Sequence, residues 1–255
     1  MIQHSFEFYG IAFFGIILFR YFLVAGGTYL FFYSPFSQAL VQSQRPYRPP
    51  SWKSIRHDIK LSVFSAGVFA LAAAFIMSAY SNWGATRLYN HAQQYGLWYL
   101  GVSYIAVLVI QDAYFYFTHR LFHHPLLFRW LHQGHHQSRY PTPWTSFAFD
   151  PLEAIIQSFF LVGIVFVIPL HFITLIAVLM TMTVWAVINH LGINQLPLSF
   201  PHDWLGKWFI GPAHHSIHHL KYTVHYGLYF TFWDTLLSTQ DLNYEQKLCK
   251  DQIKH

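Results

Sequence analysis

The stretch HRLFHHPLLFRWLHQGHH, residues 119 to 136, carries six histidines, and HHSIHH follows at 214 to 219. Thirteen of the chain's 18 histidines lie between residues 119 and 219. Their spacing is regular. His132, His135 and His136 stand at i, i+3 and i+4, as do His215, His218 and His219, so on a helix each trio shares one face. His119 and His123 are one turn apart, with His124 on the flank of that face. Imidazole binds zinc, copper, iron and nickel, whereas packed imidazoles without a metal leave many buried nitrogens to satisfy. One tetrahedral zinc takes four ligands, so eight to ten candidates predict two metal ions with several nitrogens each. The chain contains no HExxH, which removes the zinc-protease arrangement. Its single cysteine, Cys249, rules out an intrachain disulfide framework and a multi-cysteine metal site. The isolated His91 and His171 read instead as hydrogen-bonded core residues.

Such donors need elements to hold them, and the rest of the chain is greasy. It is 54% hydrophobic and 20% aromatic, with 10% charged residues against about 25% in a soluble domain. That predicts an all-α, multi-pass helical membrane protein. Three runs, at about 8 to 32, 61 to 80 and 97 to 118, reach the roughly 20 apolar residues of a membrane span. A fourth, 155 to 189, is interrupted by IPLH at 168 to 171, where proline disfavours a continuous helix. The first run lacks a charged leader and a small-residue cleavage site, so it is expected to be retained as a span. Arg45, Arg48, Lys53, Arg56 and Lys60 crowd the first loop, while 81 to 96 holds only Arg87. The positive-inside tendency then puts 33 to 60 in the cytoplasm. A hairpin over 155 to 189 returns the second histidine burst to the side of the first, which predicts a cytoplasmic, histidine-rich di-metal cap. The net charge of +5 fits a basic membrane face and requires no nucleic acid. We find no internal repeat or low-complexity tract. A histidine-rich metal pair at a lipid boundary suggests iron handling dioxygen, with a substrate drawn from the bilayer.

HRLFHH, HQGHH and HSIHH resemble the three histidine boxes of the fatty-acid hydroxylase and sterol desaturase superfamily. TPWTSFAFDPLEAIIQS and GPAHHSIHHLKYTVHYGLYFTFWDTLLST extend the likeness, nearest to sterol C5-desaturases, over about residues 110 to 240. The resemblance implies two iron ions activating dioxygen; zinc is expected to replace iron after overexpression, because imidazole binds both. It also implies electrons from NAD(P)H through a cytochrome b5- or ferredoxin-like carrier, and a lipid substrate, sterol-like or fatty-acyl, that is desaturated or hydroxylated. Carried over residue by residue, the ligands are His119, His123 or His124, His132, His135, His136, His190, His215, His218 and His219. Asn194 stands where some hydroxylases have a further ligand. The family's Ser-His-Ala-Phe-His-Pro is Ser146 to Pro151 here, with Phe147 and Asp150 in place of its two histidines. The asparagine of its Asn-Tyr-Gly is His225, and the arginine of its Trp-Asp-Arg is Thr235.

Outside the boxes, Asp112 lies seven residues before His119 and hence on the same helical face. An acid within a span is a functional candidate, either as acceptor for a ligand imidazole or as partner of another span. Arg20 is expected to face the bundle or snorkel, Asp234 to orient local structure, and DWLGKWFIG, 203 to 211, to form an interfacial helix. The expected division is a membrane region over 1–96, a catalytic region over 97–240 and a polar tail over 241–255. The alternative is a metal transporter or sensor, which should place histidines and acids along a path near mid-span; here nearly all follow the span ends.

Overall fold

In the computed structural model, residues 4–34, 51–192 and 206–241 are described. These residues are largely helical, and among them four helices are long and apolar enough to cross a membrane. Helix α1 spans Phe6–Phe32, with a π-helical stretch at Phe22–Gly26. Helix α2 is Trp52–Trp83 and α3 is Leu97–Phe122. The long apolar run folds as the expected hairpin: α5, Pro151–Val167, then a break at Ile168 and Pro169, then α6, Phe172–Asn189. Between these lie the short α4, Pro125–Leu131, and after them α7, Pro212–Lys221, and α8, Phe232–Leu236.

The break does more than turn the chain. Leu170–His171 (β2) pairs in parallel with Leu88–Tyr89 (β1), Leu88 opposite Leu170. Arg87 N–H donates to the Val165 carbonyl (2.8 Å), and Leu170 N–H donates to the Arg87 carbonyl (3.1 Å). These bonds satisfy backbone groups that the interrupted helix leaves open. His171 is buried and accepts the Ile173 N–H at Nδ1, capping α6, as a lone core histidine should. His91 departs from expectation, because it sits exposed in the loop before a single 3-10 turn.

Contacts along the bundle fix which end is which. Tyr9 on α1 meets Ser81 on α2 at one end. At the other, Tyr21 donates to the Trp144 carbonyl (3.0 Å) and Tyr33 to the Leu191 carbonyl (3.1 Å). A Cβ on Gly26 would lie 2.9 Å from the Trp144 ring, so glycine lets the indole pack against the α1 backbone. The apolar core joins α2, α3, α5 and α6 through residues such as Val107, Ile164, Val165, Leu170 and Val178. The outer faces stay apolar, with Ile11, Phe19, Leu71, Ile105 and Phe159 exposed. That is the surface a helix presents to lipid rather than to water.

Helix α2 begins nine residues earlier than its hydropathy indicates, and polar contacts account for the difference. Asp58 is buried and accepts from Ser138 (2.7 Å) and Thr145 (2.7 Å). The first turns of α2 thereby lie in the histidine-bearing cap rather than among apolar side chains.

Candidate metal centre

Each histidine reaches the cap by its own local route. His119 sits in the last turn of α3 and His123 caps that helix. In the second box the spacing misleads. Helix α4 stops at Leu131, His132 is its C-cap, and His135 begins a separate 3-10 turn. Gly134 makes the break possible, since a Cβ there would collide with the Asp150 carboxylate, which accepts the Gly134 N–H (2.6 Å). Asp150, standing where the resembled family has histidine, thus fixes the turn presenting His135. The third box is helical, and His215, His218 and His219 are all buried on α7. His190 is the C-cap of α6.

Among the described residues, nine imidazoles converge in two adjoining groups. His119, His123, His132, His136 and His218 form one, and His135, His190, His215 and His219 the other; within each group the candidate ligand atoms lie within 4.8 Å of one another. Five of the ring nitrogens facing away from the groups are held. Nδ1–H donates to the carbonyl of Tyr226 from His119 (3.0 Å), of Ala148 from His135 (3.1 Å), of Ala186 from His190 (2.7 Å) and of Val224 from His218 (2.7 Å). Glu153 Oε2 takes the fifth, from His132 (2.8 Å). A carbonyl only accepts, so a proton on Nδ1 leaves a bare lone pair on Nε2.

That fact decides what the groups are for. His135 and His190 are both pinned in this way, yet their Nε2 atoms face each other at 3.4 Å. Neither can donate, and two buried lone pairs so placed are costly unless a cation lies between them. Other Nε2 pairs are spaced alike: 3.0 Å for His119–His132 and His190–His215, and 3.1 Å for His136–His218 and His215–His219. Two nitrogens about 2.1 Å from one metal, at angles of about 90° to 109°, are separated by about 3.0 to 3.4 Å. The His123 Nε2 is buried and has no hydrogen-bond partner among the described residues. The residues therefore fit two metal ions.

Burial pushes the imidazoles of His132, His136, His215, His218 and His219 well below their ordinary range. It takes His135 to about 4 and His190 to about 3. At neutral pH these rings are uncharged, the form that ligates metal.

Three expectations need correcting. His124 is exposed and its Nδ1 accepts the Leu126 N–H, capping α4, so His123 is the first-box residue that joins the group. Asp112 bonds to no imidazole among the described residues; its Oδ1 accepts the backbone N–H groups of Tyr229 (2.7 Å) and Phe230 (3.2 Å). The stretch 203 to 211 shows no interfacial helix among its described residues. Gly206–Trp208 is a 3-10 turn, and Phe209 bridges to Phe230. Asn194 and residues 203 to 205 lie outside the described residues. Asp234 does orient local structure, accepting from the N–H groups of Tyr226 and Gly227 and from the Thr239 hydroxyl. Arg20 faces the bundle with its guanidinium over the Phe147 ring. His225 adopts a left-handed φ of 59°, a conformation open to asparagine and histidine. Sequence reasoning missed Glu153, Asp150 and Asp58. A usable signal existed for the first two: acids at positions 150 and 153 flanking the N1 proline of a helix form a capping box.

A bundle of membrane-length helices with two histidine groups able to hold metal at one end defines the class, a helical membrane protein with a candidate metal centre. Within that class, the fatty acid hydroxylase family matches residues 104–239, and the chain belongs to it. A Delta(7)-sterol 5(6)-desaturase of Gibberella zeae is 31% identical over 181 residues, 71% of this chain and 54% of its own. Human lathosterol oxidase is 30% identical over 211 residues, covering 81% of this chain and 67% of its own. A Delta(7)-sterol 5(6)-desaturase of Aspergillus fumigatus is 30% identical over 240 residues, 83% and 71% respectively. The chain thus spans about half the length of the first of these relatives. No solved structure matches it.

Proposed function

We propose that the protein is a membrane-bound, non-haem di-iron oxidoreductase that uses dioxygen to desaturate or hydroxylate a lipid, sterol-like or fatty-acyl. The observation that carries this is the pair of imidazole groups with lone pairs turned inward, built just beyond the ends of apolar helices. The names of the relatives, sterol desaturases and lathosterol oxidase, agree with it. His119, His123, His132, His136 and His218 hold one iron; His135, His190, His215 and His219 hold the other. Bound iron supplies the oxidising power that no side chain here has. The protein contributes fixed donors, a site from which water is excluded, and apolar surroundings for an unactivated C–H bond.

Residues 97–240 carry the chemistry, 1–96 the remaining membrane region and 241–255 a tail. The metal end faces the cytoplasm, where a cytochrome b5- or ferredoxin-like carrier brings electrons from NAD(P)H. A transporter has less support, because all nine imidazoles gather at one end of the bundle rather than along it. Lipid mass spectrometry of cells with and without the protein tests the reading. A lipid lighter by two mass units marks desaturation, and one heavier by sixteen marks hydroxylation. An unchanged lipid profile, with iron-loaded protein and a reducing system present, counts against it.

A further inference from the structure

The anchors behind the imidazoles are not alike. In the four-histidine group both identified Nδ1 anchors, for His135 and His190, are neutral backbone carbonyls. The five-histidine group has two carbonyl anchors, for His119 and His218, and one carboxylate, Glu153 on His132. Glu153 is fully buried. Its Oε2 also receives the Asp150 N–H at 3.4 Å, and its Oε1 has no hydrogen-bond partner among the described residues. The one ion-pair contact identified for it is His132. A buried carboxylate in such surroundings is costly unless positive charge lies near. A metal held by the His132 Nε2 would supply that charge through the ring.

We infer that Glu153 is a positioning residue that makes the two metal sites unequal. It holds the His132 ring with its Nε2 turned inward and strengthens it as a donor, so the five-histidine group grips its ion more tightly than the four-histidine group. A carboxylate behind a ligand imidazole commonly contributes about 10- to 100-fold in metal affinity. This rests on the two-metal reading above, and goes beyond it by ranking the two positions.

The test is metal release from purified, metal-loaded protein under a chelator, followed by elemental analysis and, with cobalt substituted, by visible absorption. Wild type should lose its ions in two phases at least tenfold apart in rate. Glu153→Gln keeps both the hydrogen-bond acceptor and the capping residue type but removes the charge. It should speed the slow phase by about 10- to 100-fold and leave the fast phase unchanged, merging the two. Glu153→Asp, which keeps the charge, should retain two phases. Release of both wild-type ions in one phase overturns the inference even if the glutamine variant fails to fold. So does a slow phase that Glu153→Gln leaves intact. Wild type that never binds two ions sinks the two-metal reading itself, which separates the two failures.

Discussion

Asp112 offers the sharpest contrast between where an acid sits in the sequence and what it does. Its Oδ1 accepts two backbone N–H groups, at 2.7 Å from Tyr229 and 3.2 Å from Phe230. Tyr229 also accepts from Ile210 N–H at its carbonyl (2.8 Å), and its hydroxyl donates to Gln111 (2.8 Å). Asp112 therefore ties the segment after the third box to α3. Asp112→Asn keeps an acceptor but makes it neutral. Hydrogen bonds to charged groups contribute about 1.5–3 kcal/mol against about 0.5–1.5 for neutral ones, so two of them lose about 2 kcal/mol together. Asp112→Ala strands both amides, at about 1–3 kcal/mol each, or about 2–6 kcal/mol in all. The expected outcome is graded loss of thermal stability in detergent, asparagine before alanine. Turnover per bound iron should stay within about twofold of wild type for Asp112→Asn, since nothing between Asp112 and an imidazole is broken. The assay pairs thermal unfolding by size exclusion with turnover normalised to iron content. A tenfold or greater fall in turnover per iron at unchanged stability would refute this account and place Asp112 in the metal chemistry.

Elemental analysis should find two metal ions per chain, and His135→Ala should bind fewer, with activity abolished. His124→Ala should keep both ions and lose only an α4 cap, about 1 kcal/mol; metal loss there would reopen the first box. Single cysteines at Gln137 and Thr223, both exposed, in a chain with Cys249 replaced, should label from one membrane face, and one at Gln94 from the other. Labelling of 137 and 223 from opposite faces would end the shared-site reading. Acid should destabilise the metal-free protein. Folding holds the cap imidazoles below the ordinary value near 6.5, so the unfolded chain binds more protons and stability rises with pH. The melting temperature of metal-stripped protein should fall as pH drops from about 7.5 to 5.5, and a flat profile would contradict the burial that sets the shift.

The hairpin and most of the converging histidines were legible because each has a strong local cause, although their division into two groups was not. Pro169 breaks a long apolar run, and histidines one turn apart on α3 and α7 share a face whatever surrounds them. The second box was harder. HQGHH has helical spacing, but the turn that presents His135 depends on a carboxylate sixteen residues on, and periodicity cannot see Asp150 reaching Gly134. Hydropathy likewise placed the start of α2 too late, because Asp58 is polar by type and buried by partnership with Ser138 and Thr145. Asp112 misled for the opposite reason. Its helical face was read correctly, but the segment that meets it comes from more than a hundred residues away.

The histidines alone do not make the site. For five of the nine, the Nε2 lone pair turns inward because Nδ1 is occupied, and the anchors come from five separate places: Ala148, Glu153, Ala186, Val224 and Tyr226. Three of these lie in the two stretches that follow the second and third boxes, 137–150 and 222–241, which contain little regular structure among the described residues. Those stretches are themselves held by acids, the buried Asp58 and the half-buried Asp150 for the first, the buried Asp112 and Asp234 for the second. Each acid gathers backbone N–H or hydroxyl donors that an irregular segment would otherwise bury unpaired. Satisfying those donors fixes the carbonyls, and the carbonyls turn the rings. The boxes supply the nitrogen donors, but their aim is set by the acids and irregular segments around them. A chain with all three boxes and these acids replaced should therefore fold its helices yet hold metal poorly.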